Sequence, residues 1–264
     1  MIYVTGDTHG GFRRFDKDIF PEKLNMTKDD YVIICGDFGG VWTGDNYGNN
    51  TCTENDYGFF EEYSEWITLN ALEHQPFTTL FVSGNHENFD ALSKYPDKEW
   101  HGGIVKEIRP SVLLLKRGYV FDIEGKKFFT FGGAKSHDIS GGVYEPDDIR
   151  DIQRAKRSYE PFRVNHISWW EEEEPSDEEM KRGLKNLDAN NWDIDFVVTH
   201  ECSSSNLYLL YSHLGGAQTY TLTNYLEEIR CKLNYKRWFF GHHHDNKAIN
   251  DKDIMLYEQI IRIH

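Results

Sequence analysis

Cysteine is scarce in this chain, with 4 in 264 residues, at Cys35, Cys52, Cys202 and Cys231. None stands at short spacing from another, so neither a disulfide framework nor a thiolate-rich zinc site is expected. Such usage fits a reducing compartment, and a cytoplasmic location is expected. Long apolar runs are missing as well. No stretch approaches the roughly 20 apolar residues a helix needs to cross a bilayer, so no membrane partner is expected. A signal peptide is not expected either, because the first core strand is predicted from Ile2, with Asp7 and His9 close behind. Positive charge is also in short supply: 29 Lys and Arg stand against 44 Asp and Glu, a net charge of -15. An acidic surface repels polyanions, which argues against a nucleic-acid polymer as partner. A small anionic substrate then needs a local positive centre, and bound cations supply one. Nothing in the sequence fixes an oligomeric state.

What is present is a composition that folds: 39% hydrophobic and 15% aromatic, unlike a disordered tail. Without internal repeat or linker, residues 1–264 are expected to form a single domain. Short apolar runs at 2–5, 31–35, 79–82, 196–199 and 237–240 read as strands buried on both faces. Each is followed by polar, metal-competent residues, and in open α/β sheets that C-terminal end is where ligands bind. Phe59, Phe60, Tyr63, Trp66, Ile67 and Ala71 recur at helical spacing, as do Leu222, Tyr225, Leu226, Ile229 and Leu233. Residues 104–108, 112–115, 119–123 and 127–131 read as successive strands, and 247–263 as a further meander. The mixture predicts an α/β fold with two packed mixed β-sheets flanked by helices. A charged excursion at about 132–191 is expected to lie over the active-site face. It holds a helix near 176–187, where Ser176 and Glu179 fit a capping box. Its four-glutamate run, Glu171 to Glu174, reads as a solvated face, and Trp169 and Trp170 as packing residues.

Five clusters carry the chemistry: Asp7-Thr8-His9, Gly36-Asp37, Gly84-Asn85-His86-Glu87, Thr199-His200 and Gly241-His242-His243-His244. Carboxylate, imidazole and amide oxygen without thiolate suit Mn, Fe or Zn in a reactive site. Asp7 and His9 are two apart, as are His242 and His244, so an extended segment turns each pair to one side. His243 then points the other way. Taken singly, Asp7 and Asp37 are ordinary turn carboxylates after strands, and the three histidines an exposed loop. His74, His101, His166, His213 and His264 read as surface or satisfied core residues.

In their order along the chain these clusters resemble the motifs of the calcineurin-like metallophosphoesterases: Asp-x-His, Gly-Asp, Gly-Asn-His-Glu, a lone His and Gly-His-x-His. The likeness runs from Asp7 to His244 and is nearest to the small bacterial type. It implies an αββα sandwich and a hydrolase of phosphomonoesters or phosphodiesters. It also implies two metal ions, Mn being favoured over Fe and Zn. Asp7, His9 and His244 would hold the first ion, Asn85, His200 and His242 the second, and Asp37 would bridge them. His86 would be the catalytic acid, with Glu87 behind it to orient the imidazole. A hydroxide shared by two cations would attack phosphorus.

One departure narrows the substrate. Many family members continue past Gly-Asp into an Asp-Arg pair, whereas here the run is Asp37-Phe38-Gly39-Gly40-Val41. The missing arginine argues against a phosphoprotein phosphatase and favours a small phosphorylated substrate, including a nucleotide. His137 and Arg163 are the expected substrate contacts. The alternatives are a Ser/Thr phosphatase, a nuclease and a non-catalytic metal-binding scaffold; the last predicts lost ligands, and none is lost.

Overall fold

The computed structural model describes residues 1–43, 65–214 and 218–264. The first of two mixed sheets contains β1 (Ile2–Thr5), β2 (Tyr31–Ile34), β3 (Thr78–Phe81), β4 (Asp97–Trp100), β5 (Gly103–Arg109) and β6 (Val112–Leu115), with α1 (Glu65–Glu73) and α2 (Phe89–Ser93) between them. Parallel pairing joins β1, β2, β3 and β6, while β5 and β4 add antiparallel at the edge. The chain then builds β7 (Tyr119–Ile123) and β8 (Lys126–Phe131) of the second sheet. A side ladder follows, β9 (Val143–Tyr144) with β10 (Arg163–Val164), flanking α3 (Ile149–Ser158) and preceding α4 (Asp177–Ala189). The second sheet is completed by β11 (Phe196–Thr199), β12 (Arg237–Phe240), β13 (Lys247–Ala248) and β14 (Asp253–Met255), with α5 (Ser204–Tyr211) and α6 (Thr221–Lys232) between β11 and β12. The last strand, β15 (Ile260–Arg262), returns to the first sheet beside β1.

The alternation of side chains explains the layering. Ile2 and Val4 of β1 meet Phe128, Phe196, Val198 and Phe239 between the sheets. Tyr3 faces the outer layer with Leu69, Leu72, Ala91 and Leu92 of α1 and α2. On the second sheet Phe129, Phe131, Val197, Trp238 and Phe240 face outward onto α4, α5 and α6. A period of two with both faces apolar is the signature of strands covered on both sides. The result is helices, two sheets and helices again.

The segment 247–263 is not one meander. β13 and β14 pair antiparallel in the second sheet, but β15 crosses to the first. Leu256 is buried between the sheets, and the Gly6 N–H donates to the Tyr257 carbonyl at 3.0 Å, so the crossing is pinned beside the end of β1. α4 carries the expected capping box, worth about 1 kcal/mol for the Ser176 side chain. β4, β9, β10, α2 and α5 had no clear apolar period, while α3 carries one in Ile149, Ile152 and Ala155 that lies within the charged excursion. Trp66, Ile67 and Ala71 of the first predicted helix fall in α1; Phe59, Phe60 and Tyr63 lie outside the described residues. Cys35, Cys202 and Cys231 carry free thiols, and Cys52 lies outside the described residues. Among the described residues no helix is long and apolar enough to cross a membrane.

Candidate metal centre

The loops that leave β1, β2, β3, β11 and β12 converge on one rim. Four of their non-glycine residues adopt left-handed backbone: His9 (φ 45°), Asp37 (φ 46°), His242 (φ 66°) and His244 (φ 50°). Such conformations cost about 1–3 kcal/mol each outside glycine and persist only where neighbours enforce them. The enforcing bonds are present. The His9 N–H donates to the Asp37 carbonyl at 2.7 Å, and the His242 N–H donates to both Asp7 carboxylate oxygens at 3.0 and 3.1 Å. Glycine is required where these loops touch. A Cβ on Gly84 would stand 1.9 Å from Asp37 Oδ1, and one on Gly241 2.0 Å from Asp7 Oδ1.

One ligand group gathers Asp7, His9, Asp37 and His244, with ligating atoms all within 4.8 Å of one another. His9 Nε2 lies 2.9 Å from His244 Nε2, which is 3.3 Å from Asp7 Oδ2. Beside it, His200 Nε2 lies 3.3 Å from Asp37 Oδ1 and 3.1 Å from Asn85 Oδ1. The His242 ring is 5.0 Å from that of His200, but its ligating atom gathers with those of His137 and Glu201, all within 4.8 Å of one another. The Cys35 carbonyl, 2.7 Å from His200 Nδ1, can only accept, so Nδ1 carries the hydrogen and Nε2 faces the ligand group.

Electrostatics fit cations. Asp7 and Asp37 are 0% and 1% exposed. Burial pushes the Asp37 carboxyl up, but the imidazoles of His200, His86 and His9 outweigh it and hold it well below the carboxylate range. Burial works against charge on His200, yet Asp37 and Asp7 hold its pKa up at about 10, so Nε2 carries a proton that a cation would have to displace. Burial presses His242 and His137 down, which leaves these imidazoles neutral with a lone pair each. Asp37 Oδ2 is buried without a hydrogen-bond partner among the described residues. A buried anionic oxygen left unpaired is costly, and a cation beside it removes that cost. The donor set therefore fits the metals the motifs imply.

The remaining expected residues divide. His86 is half-buried, its ring 5.6 Å from that of His9 and its N–H on Asp37 Oδ1 at 2.8 Å. Glu87 does not orient the His86 imidazole. Its oxygens accept the backbone N–H groups of Phe38 (2.8 Å), Gly84 (3.3 Å) and Gly39 (3.3 Å), tying the β2 and β3 loops together. Burial and the nearby Asp37 raise its pKa to about 8. His137 does reach the site, with Nε2 3.0 Å from His242 Nε2. Arg163 sits differently: its side chain is 12% exposed and ion-paired with Asp138, which braces the His137 loop.

Several residues of the site have no motif. Glu201 is fully buried; it accepts His243 Nε2 at 3.0 Å and the Tyr220 hydroxyl at 2.8 Å, and lies 3.9 Å from His242 Nε2. His243 turns to Glu201, Cys202 and the Tyr211 hydroxyl, with Glu201 and Cys202 forming a further candidate ligand group with it, and the left-handed backbone at His242 and His244 replaces the extended segment expected there. Arg14 donates to the carbonyls of Asp7 (2.6 Å), Gly6 (3.2 Å) and Tyr257 (2.6 Å) and holds the first loop from behind. Glu173 overturns the reading of the four-glutamate run as solvated: it is 1% exposed and accepts both the N–H (2.9 Å) and the hydroxyl (2.6 Å) of Ser136. Burial raises its pKa. Trp170 is buried, donates to Asp90 at 2.8 Å and packs edge-on to Trp42, a packing role.

Comparison with known proteins adds an independent finding. Residues 1–246 match the family described as calcineurin-like phosphoesterase. Similar curated proteins include lariat debranching enzyme A of Xenopus laevis (28% identical over 172 residues) and the lariat debranching enzymes of Drosophila melanogaster (26% over 177) and Danio rerio (24% over 173). The aligned stretches cover 63% of this chain and 28–30% of those proteins, so the chain spans less than a third of the length of the curated relatives it matches. The family match takes in every strand whose loop feeds the site, and the chain belongs to the calcineurin-like phosphoesterases.

Proposed function

We propose that this chain hydrolyses a phosphate ester with the help of two cations held between its sheets. The observation that carries the reading is the placement of one carboxylate. Asp37 turns Oδ2 toward His9 Nε2 at 3.8 Å and Oδ1 toward His200 Nε2 at 3.3 Å, so a single buried anion stands between two ligand groups. Asp7, His9 and His244 with Asp37 would hold the first cation; Asn85, His200 and His242 with Asp37 would hold the second. Oxygen and imidazole donors admit Mn, Fe or Zn, and Mn is favoured. When bound, two such cations would neutralise phosphoryl oxygens and lower the pKa of water toward neutrality.

The chain's own groups do the rest. His86 stands at the open edge of the first group and delivers a proton to the departing oxygen. His137 meets the substrate at the second group, while Arg163 acts through Asp138 to keep that loop in place. Residues 1–264 act as one unit in this reading, in the cytoplasm, with the 132–191 excursion against the second ligand group.

A small phosphoester, including a nucleotide, is the favoured substrate, because the net charge of -15 opposes a long polyanion. The relatives' names support a second reading, a lariat-debranching activity. Turnover of an aryl phosphate, an aryl phosphodiester and a lariat substrate with Mn2+ separates the two. Asp37→Asn is expected to cut turnover by more than about a hundredfold. Wild-type protein that carries Mn2+ yet turns over none of the three overturns the enzymatic reading in favour of a silent scaffold.

A further inference from the structure

An asparagine ligates a metal through one atom only, its amide oxygen, and the two ends of the amide are almost the same size. Something must choose which end faces the site. We propose that Glu173 is a positioning residue whose hold on Ser136 fixes the Asn85 amide with Oδ1 toward the second cation. This rests on the two-cation reading above.

On the side away from His200, the amide is set by a chain of hydrogen bonds that starts at Glu173. Glu173 accepts the Ser136 N–H on Oε1 at 2.9 Å and the Ser136 hydroxyl on Oε2 at 2.6 Å. A carboxylate only accepts, so the single hydroxyl hydrogen is committed to Glu173. Ser136 Oγ then has lone pairs alone to offer, and it lies 3.2 Å from Asn85 Nδ2. Only the NH2 end can face an acceptor. Oδ1 is therefore left on the opposite side, 3.1 Å from His200 Nε2. Glu173, Ser136 and Asn85 are 1%, 5% and 5% exposed, so water does not compete for these bonds.

Glu173 is itself held. Arg117 donates to the carbonyls of Glu172 (2.7 Å) and Glu173 (3.2 Å), and the Ala134 N–H donates to the Glu173 carbonyl at 3.2 Å. The excursion thus reaches the metal centre through one of its four consecutive glutamates. The neighbours Glu171 and Glu172 are exposed.

The test is a Mn2+ titration of full-length protein first stripped with a chelator, following free Mn2+ by electron paramagnetic resonance and heat by calorimetry. Wild type takes up two equivalents. Ser136→Ala and Glu173→Gln weaken the second step by about 10–100-fold and leave the first within about twofold. Ser136→Thr, which keeps the hydroxyl, restores the second step. Thermal melts of the metal-free variants, close to that of wild type, show that folding is intact. An unchanged second step in both variants, or equal weakening of both steps, overturns the inference while leaving the two-cation reading in place. Wild type that binds fewer than two Mn2+ removes the two-cation reading and the inference with it.

Discussion

In the proposed reading His86 is the proton donor, and its backbone N–H also bonds Asp37 Oδ1 at 2.8 Å. Truncating the side chain leaves that bond in place. His86→Ala is therefore expected to bind both cations as wild type does and to lose about 10²–10⁴-fold in kcat, the usual worth of a positioned acid. The loss should be larger for an alkyl phosphoester than for a nitrophenyl one, whose leaving group needs no proton. Equal losses on both would assign His86 to substrate binding instead. The expected ligands were legible because Asp, Asn and His clusters follow buried strands in the order of a family's motifs, although each cluster taken singly reads as an ordinary turn or loop. Glu201, Glu173, Ser136 and Arg14 were not. Glu173 differs from Glu172 only in which way the turn points it, and Arg14 meets Asp7 through a carbonyl that every residue possesses. Those contacts are tertiary, and no spacing rule encodes them.

Elements were legible to the extent that two apolar faces mark a strand. β6 (Val112–Leu115) and β7 (Tyr119–Ile123) fall on the predicted runs 112–115 and 119–123. β4 was missed because Asp97, Lys98 and Glu99 are exposed at a sheet edge, where burial leaves no pattern. The C-terminal strands were found but wrongly partnered, since alternation specifies a strand and not its neighbour. β14 shows what fixes its place. Asp253 is fully buried and accepts from Tyr235 (2.7 Å), Arg230 (2.8 Å), Asn250 (2.8 Å) and Asn206 (3.1 Å), joining α5 and α6 to the sheet. Burial pushes its pKa up, but these donors prevail and hold it below the ordinary value of 3.8. A depressed carboxylate contributes stability that is full above its unfolded pKa and is lost as pH falls through the folded one. Asp253→Asn should cost about 3 kcal/mol near pH 7, because it removes the charge and turns a donor toward donors. Urea unfolding at pH 7 and pH 3 checks this: the gap between wild type and variant narrows at the lower pH. A constant gap would mean that shape, not charge, matters there.

At the scale of the whole molecule, the two sheets press buried carboxylates and imidazoles together at one rim, within a chain already at -15 net charge. Asp7 and Asp37 repel across that rim, and Asp37 Oδ2 has no hydrogen-bond partner among the described residues. Cations that bind the folded rim and not the unfolded chain stabilise the fold by mass action. At free Mn2+ a hundredfold above the dissociation constant, one site adds about 2.7 kcal/mol. For a domain of this size that is a rise in Tm of about 5–10 °C. Screening of the acidic surface would also stabilise the protein, but it would do so for any salt at equal ionic strength. The two causes separate cleanly in a thermal melt. Mn2+ should raise Tm at submillimolar concentration where NaCl of matched ionic strength does not, a chelator should reverse the rise, and Asp37→Asn should abolish it. A rise that NaCl reproduces, or that survives in Asp37→Asn, would show that the stabilising charge is spread over the surface and that the rim holds no cation of its own.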